Sequence, residues 1–362
     1  MSFTKIVFPE GTEIVSLMFI LTPQQDAVLP LDYAKGLHAW FLDRVRKEDA
    51  ALSQYLHDGQ SEKAFCISRL EGEITSDGKQ LYISKQNTYQ WRVNALSSSV
   101  ILWMQQWLKR MPKTIALHQV KLKILEVAIA EPAKTYSELL TARSSKHLTL
   151  SFITPTSFRK SGHHFPLPVP VNLFHSYLRR WNHFAAKKYD GDVFLAWIEK
   201  HVYIVRHQLE SAKVPGGKRG LVTGFVGAIE LNLTRDSDEN SEYVSLYKAL
   251  GLLSVYCGTG HKTTFGLGQT RLGWQTKPKA IAAIATENLL AERIEAIFEI
   301  LMAKQKRTGG ERATKSCRTK ATILARRETG ESIPNIAQAM DMHKDTVKSY
   351  IKLTRRAVKS VD

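Results

Sequence analysis

A chain of 362 residues with 43% hydrophobic content can build two or three packed domains. Its formal net charge of +17 favours a polyanionic partner, nucleic acid ahead of an acidic membrane surface. Cys66, Cys257 and Cys317 lack paired spacing, which argues against a zinc site or disulfide framework and suits a reducing, cytoplasmic setting. No basic head precedes an apolar run at the N-terminus and no stretch reaches about 18 continuous apolar residues, so neither export nor a membrane span is expected.

In chain order, EIVSLMFIL at 13–21 is rich in β-branched and aromatic residues and stops at Thr22-Pro23, as a first strand would. A helical stretch follows from about Leu31 to Leu56, with a break near Glu48-Asp49. FCISRLEG, KQLYISK and YQWRVNAL are short strand-like segments separated by Gly, Asp and Asn turn signals. SSSVILWMQQWLKRM reads as a serine-capped helix and VKLKILEVAIA as an alternating strand. This is the order of a ferredoxin-like βαββαβ module, whose sheets often meet RNA. Trp40, Trp91, Trp103, Trp107 and Trp181 are expected in cores, not on base-stacking platforms.

A second unit opens with the strand HLTLSFITP. KSGHH at 160–164 lacks the i, i+4 spacing and carboxylates of a zinc helix and reads as a solvated, RNA-facing loop. PLPVP should cross a surface, and VNLFHSYLRRWNHFA has helical periodicity. HVYIVRHQLE, LVTGFVGAIELNL, a helix from about Glu242 to Tyr256 and the strand QTRLGW complete a second set of similar size, which suggests duplication.

From about Lys277, AIAAIATENLLAERIEAIFEILMAKQKR reads as one amphipathic helix and RTGGERATKSCR as a basic linker without core residues. Three short helices follow, with Gly330 suited to ending the first and Pro334 to opening the second. The third carries Lys344, Thr346, Lys348, Ser349, Tyr350 and Lys352 after a tight turn, as a DNA-reading helix-turn-helix would. About half the net charge lies beyond residue 300. The rival reading is a helical bundle that docks on a partner protein.

The expected class is therefore α+β. Two tandem ferredoxin-like (βαββαβ, RRM-like) domains at 1–145 and 146–275 precede a linker helix and basic linker at 276–315 and a small all-α helix-turn-helix unit at 316–362.

In QYLHDGQSEKAF, His57 stands at a helix end and Lys63 six residues later, so a short loop can turn both towards one pocket. An imidazole that moves a proton and a cation that stabilises a phosphorane suit RNA cleavage by the RNA's own 2′-hydroxyl. His38 can join them if the helix breaks near residues 47–49, giving one imidazole as base and one as acid. Among twelve histidines any one is more often a surface or capping residue, and HDG is equally a helix stop. GTGHKTTFGLG at 258–268 is no ATP-binding loop: His261 separates Gly260 from Lys262, and the flanks run helix then strand.

The stretches LHAWFLDRVRKEDAALSQYLHDGQSEKAFCISRL, FITPTSFRKSGHHFPLPVPVNLFHSYLRRWN, GLVTGFVGAIELNL and LLSVYCGTGHKTTFGLGQTRLGW together resemble the CRISPR-associated precursor-crRNA endoribonucleases, the Cas6 family, over about residues 1–275. The most specific part is the glycine signature, Gly258, Gly260, Gly266 and Gly268 with Lys262 between. The resemblance implies metal-independent, cofactor-free cleavage within the CRISPR repeat RNA, leaving a 2′,3′-cyclic phosphate and a 5′-hydroxyl. It makes His57 the catalytic histidine and Lys63 its partner, with His38 replacing a first-helix tyrosine found in some members. Lys160, Arg179, Arg180, Lys218, Arg219 and Lys262 would hold phosphates while the glycine loop approaches the RNA backbone. Other CRISPR effector subunits are further candidate partners, as are DNA or a protein at the tail. The alternative function is a regulator that binds RNA and DNA without cutting.

Overall fold

The computed structural model describes residues 6–57, 62–76, 80–143, 145–215, 221–275, 281–305, 310–328 and 331–359. The first elements are β1 (Ile14–Pro23), β2 (Ala27–Leu29), α1 (Ala34–Glu48), α2 (Ala50–His57), β3 (Phe65–Ile67), β4 (Thr75–Ser76), β5 (Leu81–Ile83), β6 (Tyr89–Ala95), α3 (Ser98–Lys109), β7 (Thr114–Leu117) and β8 (Val120–Lys134). Five strands pair antiparallel in the order β3-β6-β1-β8-β7. β1, β3, β6 and β8 take the ferredoxin-like places, and β7 adds a hairpin at one edge. The strand in KQLYISK, β5, lies elsewhere, in a small sheet with β2 and β4. Its alternation marks a half-buried strand but carries no information about which strand it pairs with.

One face of this sheet packs on its helices through an aromatic cluster. Phe19 contacts Trp91 and Trp107, Trp40 meets both tryptophans edge-on, and Trp103 stacks on Trp107. The tryptophans expected in cores, including Trp181 of the second domain, are buried.

The second domain comprises α4 (Tyr136–Thr141), β9 (Leu148–Thr156), β10 (Phe158–Lys160), β11 (His163–Phe165), α5 (Pro170–Phe184), α6 (Gly191–His201), β12 (Val202–Pro215), β13 (Leu221–Leu233), α7 (Ser241–Cys257) and β14 (Thr270–Leu272). Its main sheet runs β12-β13-β9-β14, so both domains place their second, third, first and fourth module strands side by side in the same order. KSGHH forms a tight β10–β11 hairpin with an exposed tip, with Ser161 and Gly162 both at positive φ in its turn. The sequence reading passes over α6, whose cap is Asp190 accepting from the Val193 N–H, because its Val, Phe, Trp and Ile run directly into strand β12.

The other face of the first sheet meets α7 of the second domain through both apolar and polar groups. Ser16 donates to Asn94, and Asn94 and the Cys66 thiol both donate to the Tyr256 carbonyl. Arg271 pairs with Glu71 at 2.6 Å across the same junction. Because these buried groups satisfy one another, separating the domains would strand them. All three cysteines are free and buried.

Four helices follow: α8 (Ile281–Ala303), α9 (Glu311–Glu328), α10 (Ile333–Met340) and α11 (Lys344–Lys359). α9 begins within the stretch read as linker, and Cys317, Ala321 and Leu324 on it are buried. Leu290, Ile294, Ile297 and Leu301 of α8 join the core of the first domain, so these helices dock instead of hanging on a tether. Pro334 lies in the first turn of α10 as expected, while Gly330 falls outside the described residues. No helix among the described residues is long and apolar enough to cross a membrane.

Candidate active site

The site is built where α1 gives way to α2. Asp49 is extended (φ −146°), donates its N–H to the Val45 carbonyl at 2.7 Å and accepts the Leu52 N–H at 2.8 Å. It therefore ends one helix and caps the next, which is the break expected from sequence. α2 ends on His57, an exposed residue, and half-buried Lys63 precedes β3. His38 projects from α1. His57 and Lys63 lie close enough for their charges to disfavour its protonation, so the three residues share one locality.

His38 is held from the second domain. Its Nδ1 lies 2.8 Å from the Thr264 carbonyl oxygen, and its ring stacks on Phe265 at 4.1 Å. A carbonyl can only accept, so Nδ1 carries the proton and Nε2 of the neutral ring keeps its lone pair. Burial, with help from His57 and Lys63, pushes the His38 pKa down to about 4.

Thr264 and Phe265 belong to the glycine loop, which the structure recasts. Gly260 and Gly268 have φ of 76° and 66°, and an added Cβ would lie 2.2 Å from the Ser157 carbonyl oxygen and 1.9 Å from that of Thr259, respectively. A Cβ on Gly266 would sit 2.8 Å from Arg69 Cγ in the first domain, and one on Gly258 2.9 Å from the Gly268 carbonyl oxygen. The space at Gly258, Gly260, Gly266 and Gly268 is thus filled by the protein itself. The loop N–H groups are also engaged: Thr259 donates to Gly268, Gly268 to Pro155 and His261 to Ser157. The reason for these glycines is corrected: the room that a missing Cβ leaves is taken by the loop itself and by its reach across to the first domain.

Arg180, expected on phosphate, is likewise corrected. It is 5% exposed, and its guanidinium bonds Ser176 and the Gly260 carbonyl, bracing the loop from α5. Arg179 is exposed but pairs at 2.8 Å with Glu62, the neighbour of Lys63, so it ties the second domain to the segment before β3. Lys160 is exposed on β10 with its ammonium over Phe165. Lys218 and Arg219 lie outside the described residues.

Lys262, half-buried and left-handed (φ 61°), has its pKa lowered by burial and by the nearby charges of Arg159 and Lys35. These three cations, from α1, β10 and the loop, lie within electrostatic reach of one another, and Lys35 also pairs with Asp32 at 2.9 Å. The sequence reading missed Lys35 and Arg159, since only the fold brings α1, β10 and the loop together. It also missed Phe265, a 38% exposed ring stacked on His38 that can take a base on its open face. Lys344, Lys348, Ser349 and Lys352 are exposed on α11, whereas Thr346 and Tyr350 are half-buried. Among the described residues, no group of three or more His, Cys, Asp or Glu side chains could hold a metal ion.

His261 is held like His38: its Nδ1 lies 2.8 Å from the Ser157 carbonyl oxygen and burial pushes its pKa down to about 4. Unfolded histidines bind protons near 6.5, so as pH falls the unfolded chain takes up protons before the folded one. The stability that depends on these neutral rings is complete above about pH 6.5 and is lost as pH falls towards about 4. Thermal unfolding midpoints measured across that window should fall with pH; a flat midpoint would contradict these assignments.

The comparisons with known proteins agree with this architecture. The CRISPR Cas6 N-terminal domain family model matches residues 14–141, and the CRISPR-associated endoribonuclease Cas6 model matches residues 150–270. A search of curated proteins gave no sequence match. Among solved structures, a Cas6 product complex is similar with a TM-score of 0.60 at 21% identity, covering 72% of this chain and 100% of that one. The same protein, Thermus thermophilus Cas6, gives 0.56 at 21% identity over 73% and 100% in another structure. A substrate-mimic complex of a second Cas6 gives 0.56 at 22% identity, again over 73% and 100%. At these identities the likeness concerns the fold.

Proposed function

The chain belongs to the CRISPR-associated endoribonuclease Cas6 family, and on that premise we propose that it cleaves CRISPR repeat RNA to release guide RNA. The observation that carries this reading is the grouping of His38, His57 and Lys63, with His38 held across the junction of the two domains by the glycine loop. Solved relatives described as product and substrate-mimic complexes support RNA as the ligand. A cytoplasmic site of action belongs to the same reading, as does the division of the chain at 145, 275 and 315.

In the proposed reaction, His38 Nε2 accepts the proton of the 2′-hydroxyl at the cut site, and that oxygen attacks the adjacent phosphorus. The bond from phosphorus to the 5′-oxygen breaks, and His57 gives that oxygen a proton. The products are a 2′,3′-cyclic phosphate and a 5′-hydroxyl. Lys63 stabilises the phosphorane charge, a contribution that a fixed cation can make only where charge grows in the transition state. Lys35, Arg159, Lys160 and Lys262 hold flanking phosphates, and Phe265 stacks a base. Side chains carry both protons, so the reaction requires no metal ion.

The direct test is to incubate purified protein with repeat RNA in EDTA and identify the ends of the fragments. A cyclic phosphate on one fragment and a 5′-hydroxyl on the other are expected. Fragments with a 5′-phosphate, or none until a divalent metal is added, would overturn the mechanism.

A further inference from the structure

We propose that the C-terminal helices form a second nucleic-acid site, in which the outer face of α11 binds the major groove of double-stranded DNA. Both matching family models end by residue 270, so α8–α11 lie beyond the part of the chain that they describe. The geometry begins at the turn. α10 stops at Asp341 in the left-handed region (φ 55°), and the Met342 N–H returns to the Ala337 carbonyl at 2.9 Å. α11 can therefore start only three residues after α10 ends.

Ile336, Ala337 and Met340 of α10 and Val347, Ile351 and Thr354 of α11 are buried, and α11 packs on α9 and α8. That inward stripe leaves Lys348, Ser349, Lys352, Arg355 and Arg356 exposed on the outward side, after exposed Lys344 in the first turn. Asp345, the one acid of the helix, pairs with Lys348 at 3.0 Å, but both are largely exposed and such pairs yield readily to phosphate. The outward residues of α10 are Pro334, Asn335 and Gln338, polar or small, between its N-cap Ser332 and the exposed Asp341 that ends it.

The unit is held rigidly on the first domain. Arg326 of α9 is 7% exposed at its side chain and bonds both Glu331 and, at 2.9 Å, Asp32 of the segment before α1. A reading helix must be presented on such a fixed mount to hold register in a groove.

Charge alone suits DNA and RNA equally, and shape decides between them. α11 is 16 residues, about 24 Å long. A helix about 10–12 Å wide enters the major groove of B-form DNA, whereas the deep, narrow major groove of duplex RNA excludes it. Exposed Leu353, 54% accessible within this basic face, could meet a thymine methyl.

The experiment uses the full chain and a fluorescent, mixed-sequence DNA duplex of about 30 base pairs, roughly three helical turns. DNA is titrated with and without saturating repeat RNA carrying a 2′-deoxy cut site. The DNA should bind whether or not RNA is present. The double variant K348A/K352A should lose about tenfold or more in DNA affinity, with the slope of log affinity against log salt shallower by about two. Its RNA cleavage should be unchanged and its thermal midpoint close to that of the parent. DNA displaced by the RNA, or bound equally well by K348A/K352A, would overturn the proposal. If the parent cleaves no repeat RNA, the proposed function fails while the tail variant still decides the DNA site.

Discussion

Replacing His57 with Ala should lower the single-turnover cleavage rate of repeat RNA by about 10²–10⁴-fold, the range for a lost general acid or base. RNA affinity should change little. His57 is an exposed residue at the end of α2, and the fold does not depend on burying it. The variant should therefore melt with the parent, so that lost turnover cannot be attributed to unfolding. His38→Ala makes an instructive contrast, because it also removes the stack on Phe265 and the bond to Thr264. It should lose both rate and thermal stability. A non-cleaving regulator would have no turnover to lose in either variant. Full activity in the His57 variant would reduce this residue to a helix end.

Gly268→Val should be the most damaging single change in the loop. The backbone is left-handed there and the new Cβ would fall 1.9 Å from a carbonyl oxygen, so a loss of more than about 3 kcal/mol is expected. Gly273 is the control. It too has positive φ, 84°, but an added Cβ meets nothing within 4 Å. Substitution there should cost only the backbone strain, about 1–2 kcal/mol. Chemical denaturation of both variants separates the two contributions. Equal losses would mean that the crowding at Gly268 is relieved by movement of the loop. In a Gly268 variant that still folds, cleavage should fall more than RNA affinity, because the loop carries the carbonyl that fixes His38.

The contrast between these glycines shows what a linear sequence reveals. The break after α1 was legible because Asp49 ends and caps helices through neighbours within four residues. The repeated order of strands and helices was legible for the same reason, since alternation and periodicity are local. The role of the glycine loop was not. Gly258 and Gly268 are crowded from within the loop, but Gly260 meets Ser157, about a hundred residues away, and Gly266 meets Arg69, nearly two hundred away. Arg180 has the composition of a phosphate ligand and only its burial against Ser176 and Gly260 shows it to be a brace. Arg179 and Glu62, Lys35 and Lys262, and Arg326 and Asp32 are likewise paired or grouped by topology alone. Residue types thus pointed to proton transfer and phosphate binding, while the assignment of each residue to catalysis, bracing or docking needed the fold.

The central claim is that the RNA supplies its own nucleophile. Its most direct test is a single-turnover comparison of repeat RNA with an otherwise identical strand carrying one 2′-deoxy nucleotide at the cut site. The deoxy strand should bind as tightly as the parent RNA and remain uncut, in EDTA and in the presence of divalent metal alike. Cleavage of the deoxy strand at the same position would contradict the account, because the attacking oxygen would then have to come from elsewhere.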